Sequence, residues 1–268
     1  MISRMDGENK TNYYSSVTNA LRILKSFSEE NPEVTVKQLS ETLGLSTSVT
    51  SRLLSALTKE GFVYKIKGTQ KFRLGTSVLS IGGVLISSLE IHKEAMPHLE
   101  RLVSLTGETS HLSFLENNHT VYLCKVDCGN PVPTKTHLGR NNPLHCTSTG
   151  KILMAYDHYD VFDTVITEGL VEYTPYTITN PETLKAQLKK IRMEGYAVDM
   201  EEHSLGVASV AAPIRDYTNR VIAAVNIVGP IQRVNSKTIP LLSKHVKSIA
   251  ESISQEMGYF NKNHARNG

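Results

Sequence analysis

Cysteine is scarce in this 268-residue chain: Cys124, Cys128 and Cys146 are the whole complement. An odd, sparse set fits a reducing cytoplasm better than a disulfide framework. Long apolar runs are also missing. The longest, "VLSIGGVLISSLEI" at 78–91, is too short and too interrupted to span a bilayer. The first twenty residues hold no apolar h-region, so no secretory signal and no membrane partner are expected. Repeats and low-complexity segments are absent. Acid is missing from two stretches, 46–58 and 61–89, and the second holds Lys65, Lys67, Lys71 and Arg73.

What is there is an ordinary globular mixture, 40% hydrophobic and 21% charged, with length enough for about two domains. The net charge of +3 is uneven: residues 1–75 carry +4 and the remainder −1. So mild an excess is weak evidence for nucleic-acid binding by itself.

The N-terminal part reads as helices closed by a hairpin. In "SSVTNALRILKSF", Val17, Ala20, Leu21, Ile23, Leu24 and Phe27 form an apolar face, and Pro32 marks a break. "TVKQ" matches a capping box, with Thr35 as N-cap and Gln38 reaching back. That second helix stops at Gly44, and Ser46 caps a third. Two helices joined by so short a Gly-containing turn make a helix-turn-helix.

The third helix opens with "STSVTSR", five hydroxyls in seven positions. On a wheel, Val49, Leu53, Ala56 and Leu57 point inward, while Thr47, Ser48, Ser51, Arg52, Ser55 and Lys59 share the outer face. Small hydroxyls let a helix approach base edges closely, and an Arg bonds guanine bidentately. A plain solvated face is the alternative, but it would ordinarily carry Glu/Lys pairs. "GFVYKIKGTQKFRLG" then reads as strands at 62–66 and 71–74 around a turn at Gly68, a basic wing. Double-stranded DNA is the expected partner, touched by Gln38, Thr47, Ser48, Ser51, Arg52, Ser55, Lys65, Lys67, Lys71 and Arg73. One such helix contacts few base pairs, so a homodimer on an inverted repeat is expected.

Beyond a helix at 76–92, striped with Val78, Leu79, Val84, Leu85, Ile86 and Leu89, the pattern turns to α+β. A helix runs from beyond Pro97 to Gly107. "ETSHLSFLE" and "HTVYLCKV" flank an Asn-Asn hairpin signal. "VPTKTHL", "YAVD", "VASVAAPIR" and "VIAAVNIV" read as further strands. A helix at 181–194 is bracketed by Asn180, Pro181 and Gly195, and another closes the chain from Ser236. "LHCTSTGK" enters a helix with Thr147, Ser148 and Thr149 beside free N–H groups and Lys151 close by, which reads either as an anion site or as plain N-capping. Asp199, Glu201, Glu202 and His203 crowd one loop, and Asn226 interrupts an apolar strand, where it needs a partner or a ligand.

Three segments together resemble the IclR-type bacterial transcriptional regulators: the winged helix at 34–75, "RNNPLHCTSTGKILMA" and "GYAVDMEEHSLGVASVAAPI". The resemblance covers about 17–257. It implies a winged helix-turn-helix at 1–75, a linker and dimerisation helix at 76–93 and a GAF-like effector domain with an antiparallel sheet at 94–268. It also implies that dimers can pair into tetramers. Repression controlled by a small metabolite is the expected function, and the free N–H groups and helix dipole at Thr147–Gly150 point to a carboxylate on that metabolite. The family's effector contacts fall by position on Ser148, Thr149, Asp199, Ser209, Asn226 and Val228, with Leu138 and Leu144 on the apolar side. Thr147 joins them from the reading above. Ser209 stands where the family usually has Cys, and Asn226 and Val228 where binders of short 2-oxo acids tend to have Ser.

Catalysis is not expected. His145–Cys146 is a sequence neighbour pair rather than a positioned base and nucleophile, and no nucleophile-elbow motif is present. Cys124 and Cys128 with His111 or His145 could be assembled into a metal-responsive site, but their spacing matches no known finger. No cofactor is expected. A DNA-binding protein without any effector is the remaining alternative.

Overall fold

The computed structural model describes residues 15–28, 30–132, 139, 141–156 and 161–259. The chain divides into two compact units, Met1–Ser88 and Leu89–Gly268.

The first unit contains α1 (Ser16–Lys25), α2 (Val36–Leu43), α3 (Thr47–Lys59) and α4 (Thr76–Ser88), with a three-stranded antiparallel sheet of β1 (Val34–Thr35), β2 (Val63–Lys65) and β3 (Lys71–Leu74) in the order β1-β3-β2. The capping box forms: Thr35 accepts from Gln38 N, and Gln38 reaches back to Thr35 N. Gly44 closes α2 in the left-handed region at φ 65°, and Ser46 caps α3. Ile23, Val34, Leu39, Leu54 and Val63 make the small core.

Two apolar faces need correction. Val17 and Leu21 are exposed, because α1 presents Asn19 and Ile23 to the core instead. Ala56 is exposed as well, and α3 is rotated so that Thr50 and Leu54 are its buried residues. The reason is a polar contact inside the core. Thr50 Oγ1 accepts from Ser40 Oγ at 3.0 Å, joining α2 to α3.

The helix expected over 76–92 ends early. Leu89 is extended, and α5 (Glu90–Thr106) begins after it and runs through Pro97. The two helices have different periodicities. Ala95, Leu99 and Leu102 give α5 one buried stripe, whereas α4 leaves Leu79, Ile81, Val84 and Leu85 exposed.

The second unit is built on a six-stranded antiparallel sheet, consisting of β4 (Thr109–Glu116), β5 (His119–Val126), β6 (Asn141–Asn142), β7 (Ala197–Met200), β8 (Val207–Arg215) and β9 (Val221–Pro230) in the order β6-β5-β4-β9-β8-β7. Asn117 and Asn118 both take positive φ, as the tight β4–β5 hairpin requires. The strand expected over 132–138 lies outside the described residues from 133 onward. Along each strand the side chains alternate between two cores. Ala208, Val210, Ala212, Ile214, Val225 and Ile227 face α5 and α9 (Ile239–Glu256). Ala197, Ala211 and Ala224 face the core of α6 (Ser148–Tyr156), α7 (Val161–Glu168) and α8 (Pro181–Glu194). The fold is α+β: a helix-turn-helix unit followed by an antiparallel sheet with helices on both faces.

Candidate functional site

In the first unit the candidate residues form a surface. Thr47, Ser48, Ser51, Arg52 and Ser55 are all exposed on α3. The five hydroxyls of 46–52 divide into three roles: Ser46 caps the helix, Thr50 is buried, and Thr47, Ser48 and Ser51 face outward. Gln38 is exposed, but its carbonyl oxygen is held by Thr35 N at 2.8 Å, so only its amide nitrogen faces solvent chemistry.

The wing bases are exposed too. Arg73 lies 4.2 Å over the Tyr64 ring, and Lys65 donates to Gln70 at 3.2 Å. Lys71 differs from the others. An acid from outside the acid-free span, Glu33, pairs with it at 3.1 Å and offsets its charge. Lys67 at the turn and Arg73 keep theirs.

In the second unit the candidate residues are buried, and sheet register brings them together. Asp199 pairs with Ser209, and Ser209 with Val228, in one row across β7, β8 and β9. Asn226 lies one row along, between Ala211 and His111. The start of α6 packs over this face. The helix start is also folded tightly onto the loop that precedes it: a Cβ on Gly150 would meet Leu144 Cα and O at 2.5 Å, which only glycine permits. The N–H groups of Ser148 and Thr149, in the first turn, have no intrahelical acceptor. Ser148 Oγ accepts from Ser209 Oγ at 2.7 Å, tying α6 to β8.

Thr147 takes the capping role. Its hydroxyl donates to Pro143 O at 2.7 Å and accepts from Gly150 N at 3.2 Å, so its proton is used within the chain and one lone pair is left. Leu144 is buried in the α6–α8 core; Leu138 lies outside the described residues.

The charges are arranged more tightly than the sequence indicates. Lys151 is fully buried, and its ammonium donates to Glu202 Oε1 at 2.5 Å and to Val198 O at 2.6 Å. Its partner is therefore Glu202 rather than Asp199. Asp199 Oδ1 accepts from Glu202 N at 2.8 Å, and Oδ2 from Ser209 Oγ at 3.3 Å. Burial raises the Asp199 pKa to about 7; Lys151 opposes the rise and Glu202 adds to it. The carboxyl therefore exchanges its proton near neutrality.

Two further residues stand on this face outside the expected effector contacts: His111, which the sequence offers only as a metal ligand, and Tyr122. Their rings lie 4.7 Å apart. Burial lowers the His111 pKa to about 4, so the ring is neutral at pH 7. His145 makes a 2.9 Å bond to Val171 O, and burial pushes the Cys146 thiol up, the reverse of an activated nucleophile. Among the described residues, no group of three or more His, Cys, Asp or Glu is placed to hold a metal ion.

The family comparisons agree with this architecture. Residues 16–66 match the model of the IclR helix-turn-helix domain, and 83–255 match that of the bacterial transcriptional regulator IclR C-terminal domain. The chain belongs to the IclR family. This IclR-family protein is 31% identical over 246 residues to the HTH-type transcriptional regulator XynR of Escherichia coli K12, covering 91% of this chain and 97% of XynR. It is 35% identical over 225 residues to the DNA-binding transcriptional repressor YiaJ of the same strain, covering 82% and 80%. The crystal structure of Thermotoga maritima IclR superposes with a TM-score of 0.75 at 31% identity, covering 91% of this chain and 99% of that one. This IclR-family chain is a DNA-binding transcriptional regulator and not an enzyme. No described helix is long and apolar enough to cross a membrane.

Proposed function

We propose that this regulator is a cytoplasmic repressor. It binds an inverted-repeat operator as a homodimer, which can pair again into a tetramer, and a small carboxylate-bearing metabolite in the C-terminal unit controls its affinity for DNA. Arg52 and the exposed hydroxyls of α3 read base edges, while Lys65, Lys67 and Arg73 of the wing hold phosphate. The observation that carries the DNA reading is the outer face of α3, where small hydroxyls and one arginine stand exposed without an acid. Repression is supported by the likeness to a repressor.

The metabolite sits at the start of α6, between Ser148–Thr149 and the strands bearing Asp199, Ser209, Asn226 and Val228. First-turn N–H groups and the helix dipole favour a carboxylate there. Asp199, buried and titrating near neutrality, takes up a proton when that carboxylate arrives, which removes the repulsion between the two. Ligand binding changes operator affinity only through a preference for one arrangement of the DNA-binding units.

The test is fluorescence anisotropy with duplexes selected from random DNA. Arg52→Ala should lose about 1–3 kcal/mol on the selected operator and far less on unrelated DNA. Equal losses on both would remove α3 as the reading helix. A thermal-shift screen of short carboxylates should find a stabilising compound; a screen in which none stabilises would favour a regulator without an effector.

A further inference from the structure

Within the first unit, the end of α3 and the start of α4 are joined by successive carbonyls and two glycines. The chain leaves α3 through Glu60 and Gly61, the latter in the left-handed region at φ 74°. Leu57 O is taken by Phe62 N at 2.9 Å and Thr58 O by Gly61 N at 3.1 Å, which closes the helix end. The carbonyls of Glu60, Gly61 and Phe62 are left for the chain as it returns from the wing. Glu60 O accepts from Ser77 Oγ at 3.0 Å, Gly61 O from Ser77 N at 3.3 Å and Phe62 O from Gly75 N at 2.8 Å. The donors all belong to the residues that open α4.

Each helix thereby supplies what the other's end lacks. The carbonyl end of one helix and the N–H end of another carry opposite partial charges, and here they meet directly. The backbones approach as closely as glycine allows. A Cβ on Gly75 would lie 2.1 Å from Gly61 O, and one on Gly61 would lie 2.6 Å from Ser77 Oγ. The first of these would strike backbone, which has no rotamer to turn aside. By comparison, a Cβ on Gly82 or Gly83 in the middle of α4 would meet nothing within 4 Å.

The length of α4 makes this joint consequential. Its 13 residues span about 20 Å. A tilt of about 10° at the start would carry the far end about 3.5 Å, close to the rise of one base-pair step, about 3.4 Å. Along that length α4 exposes Leu79, Ile81, Val84 and Leu85, the face expected to meet the partner protomer. A dimer paired there keeps two reading helices in step with two half-sites only if the joint is stiff.

We propose that Gly61, Gly75 and Ser77 are positioning residues that lock α4 to the end of the reading helix and so set the half-site spacing the regulator accepts. Base identity is read by the outer face of α3, and distance is read through the joint. This inference rests on the homodimer and inverted-repeat reading given above, with α4 as the paired helix.

The experiment uses the full-length protein and an operator selected from random duplexes. The half-sites are kept, and the stretch between them is lengthened or shortened one base pair at a time. Anisotropy at constant salt gives the affinity for each spacing. A second series changes single bases inside a half-site at the selected spacing. The unmodified protein should favour one spacing about tenfold over its neighbours. Ser77→Ala removes the hydroxyl bond to Glu60 O and should reduce that preference severalfold. Gly75→Ala forces α4 off Gly61 O and should flatten the preference or move it to another spacing. The loss caused by a changed base should be the same in all three proteins. Variants that keep the original spacing preference, whatever their affinity, overturn the proposal, because a joint that only stabilises the fold weakens every operator alike. So does an unmodified protein that needs both half-sites but binds every spacing equally, and that result leaves the homodimer reading standing. Footprints over a single half-site, with a monomer in the ultracentrifuge, overturn the homodimer reading and the proposal with it. Ser77→Ala introduces no clash, so it decides the question even if Gly75→Ala does not fold.

Discussion

The two units place their candidate functional side chains in opposite environments. On α3 and the wing the residues are exposed, close in sequence and surrounded by water. On the sheet under α6 they are buried, come from distant parts of the chain and depend on one another for hydrogen bonds. A DNA-reading surface works by being presented, so its side chains contribute little to the fold that carries them. A ligand pocket inside a core must hold polar groups where burial penalises them, so each needs a partner from the protein or from the ligand. Function and stability are nearly separate in the first unit and entangled in the second.

The contrast is most open to attack at Lys151. Lys151→Met leaves Glu202 buried without its counter-ion, and denaturant unfolding should register a loss of about 3–5 kcal/mol. Adding Glu202→Gln should recover most of it. A single substitution with the cost of an ordinary surface change would mean that the pair is hydrated and that the pocket is less entangled than described.

Asp199 tests the same point through pH. Its folded pKa of about 7 lies above the ordinary 3.8, so the folded state binds more protons between those values and loses stability as pH rises from about 4 to about 7. The slope from this one group is at most about 1.4 kcal/mol per pH unit. His111, with a folded pKa near 4 against 6.5, acts with the opposite sign from about 4 to 6.5. Below pH 6.5 the two offset, and Asp199 acts alone just above it. Asp199→Asn should therefore gain on the unmodified protein as pH rises from 4 to 7 and level off beyond it. Thermal melts at half-unit steps would show a flat difference if Asp199 were not desolvated.

Within α3 the comparison sharpens to neighbouring residues. Thr50→Val removes one of the two acceptors that Ser40 Oγ reaches, leaving Val36 O at 2.8 Å, and should cost about 1 kcal/mol of stability. Ser51→Ala should stay within about 0.5 kcal/mol, as surface changes usually do. The smallest effect belongs to the wing. Lys67→Ala should reduce the slope of log affinity against log salt by about one, and Lys71→Ala by less, since Glu33 already offsets that charge.

Local signals were read from the sequence well. The capping box at Thr35, the Gly44 stop, the Asn-Asn hairpin and the bracketed helix at Pro181–Glu194 each follow from neighbours in sequence, and each is present. The outer face of α3 was legible for the same reason. Readings that depended on tertiary contact fared differently. Thr50 turns inward because Ser40 waits for it, and α4 ends at Ser88 because the α5 stripe belongs to another core. Asn226 was conspicuous as a polar residue in an apolar strand, but its neighbour His111 lies 115 positions away and only the β4–β9 register joins them. Tyr122 could not be placed by alternation, since Leu123 is an extra residue in the β4–β5 ladder and reverses the faces. Lys151 was recognisable as a cation, whereas its burial and its choice of Glu202 over Asp199 emerge only when α6 and the loop after β7 pack together.

All three cysteines lie in the second unit, and all are free and buried. Burial pushes the Cys124 thiol up to about 12, and Cys146 is pushed up as well. An alkylating reagent therefore meets almost no thiolate at Cys124 or Cys146 while that unit is closed, and its reaction at those two residues counts openings. The first unit, with no cysteine, is silent to the same reagent. The chain thus carries a built-in clock for one half of itself: protection of its thiols by a candidate metabolite would time how firmly that compound holds the second unit shut, without a label and without DNA.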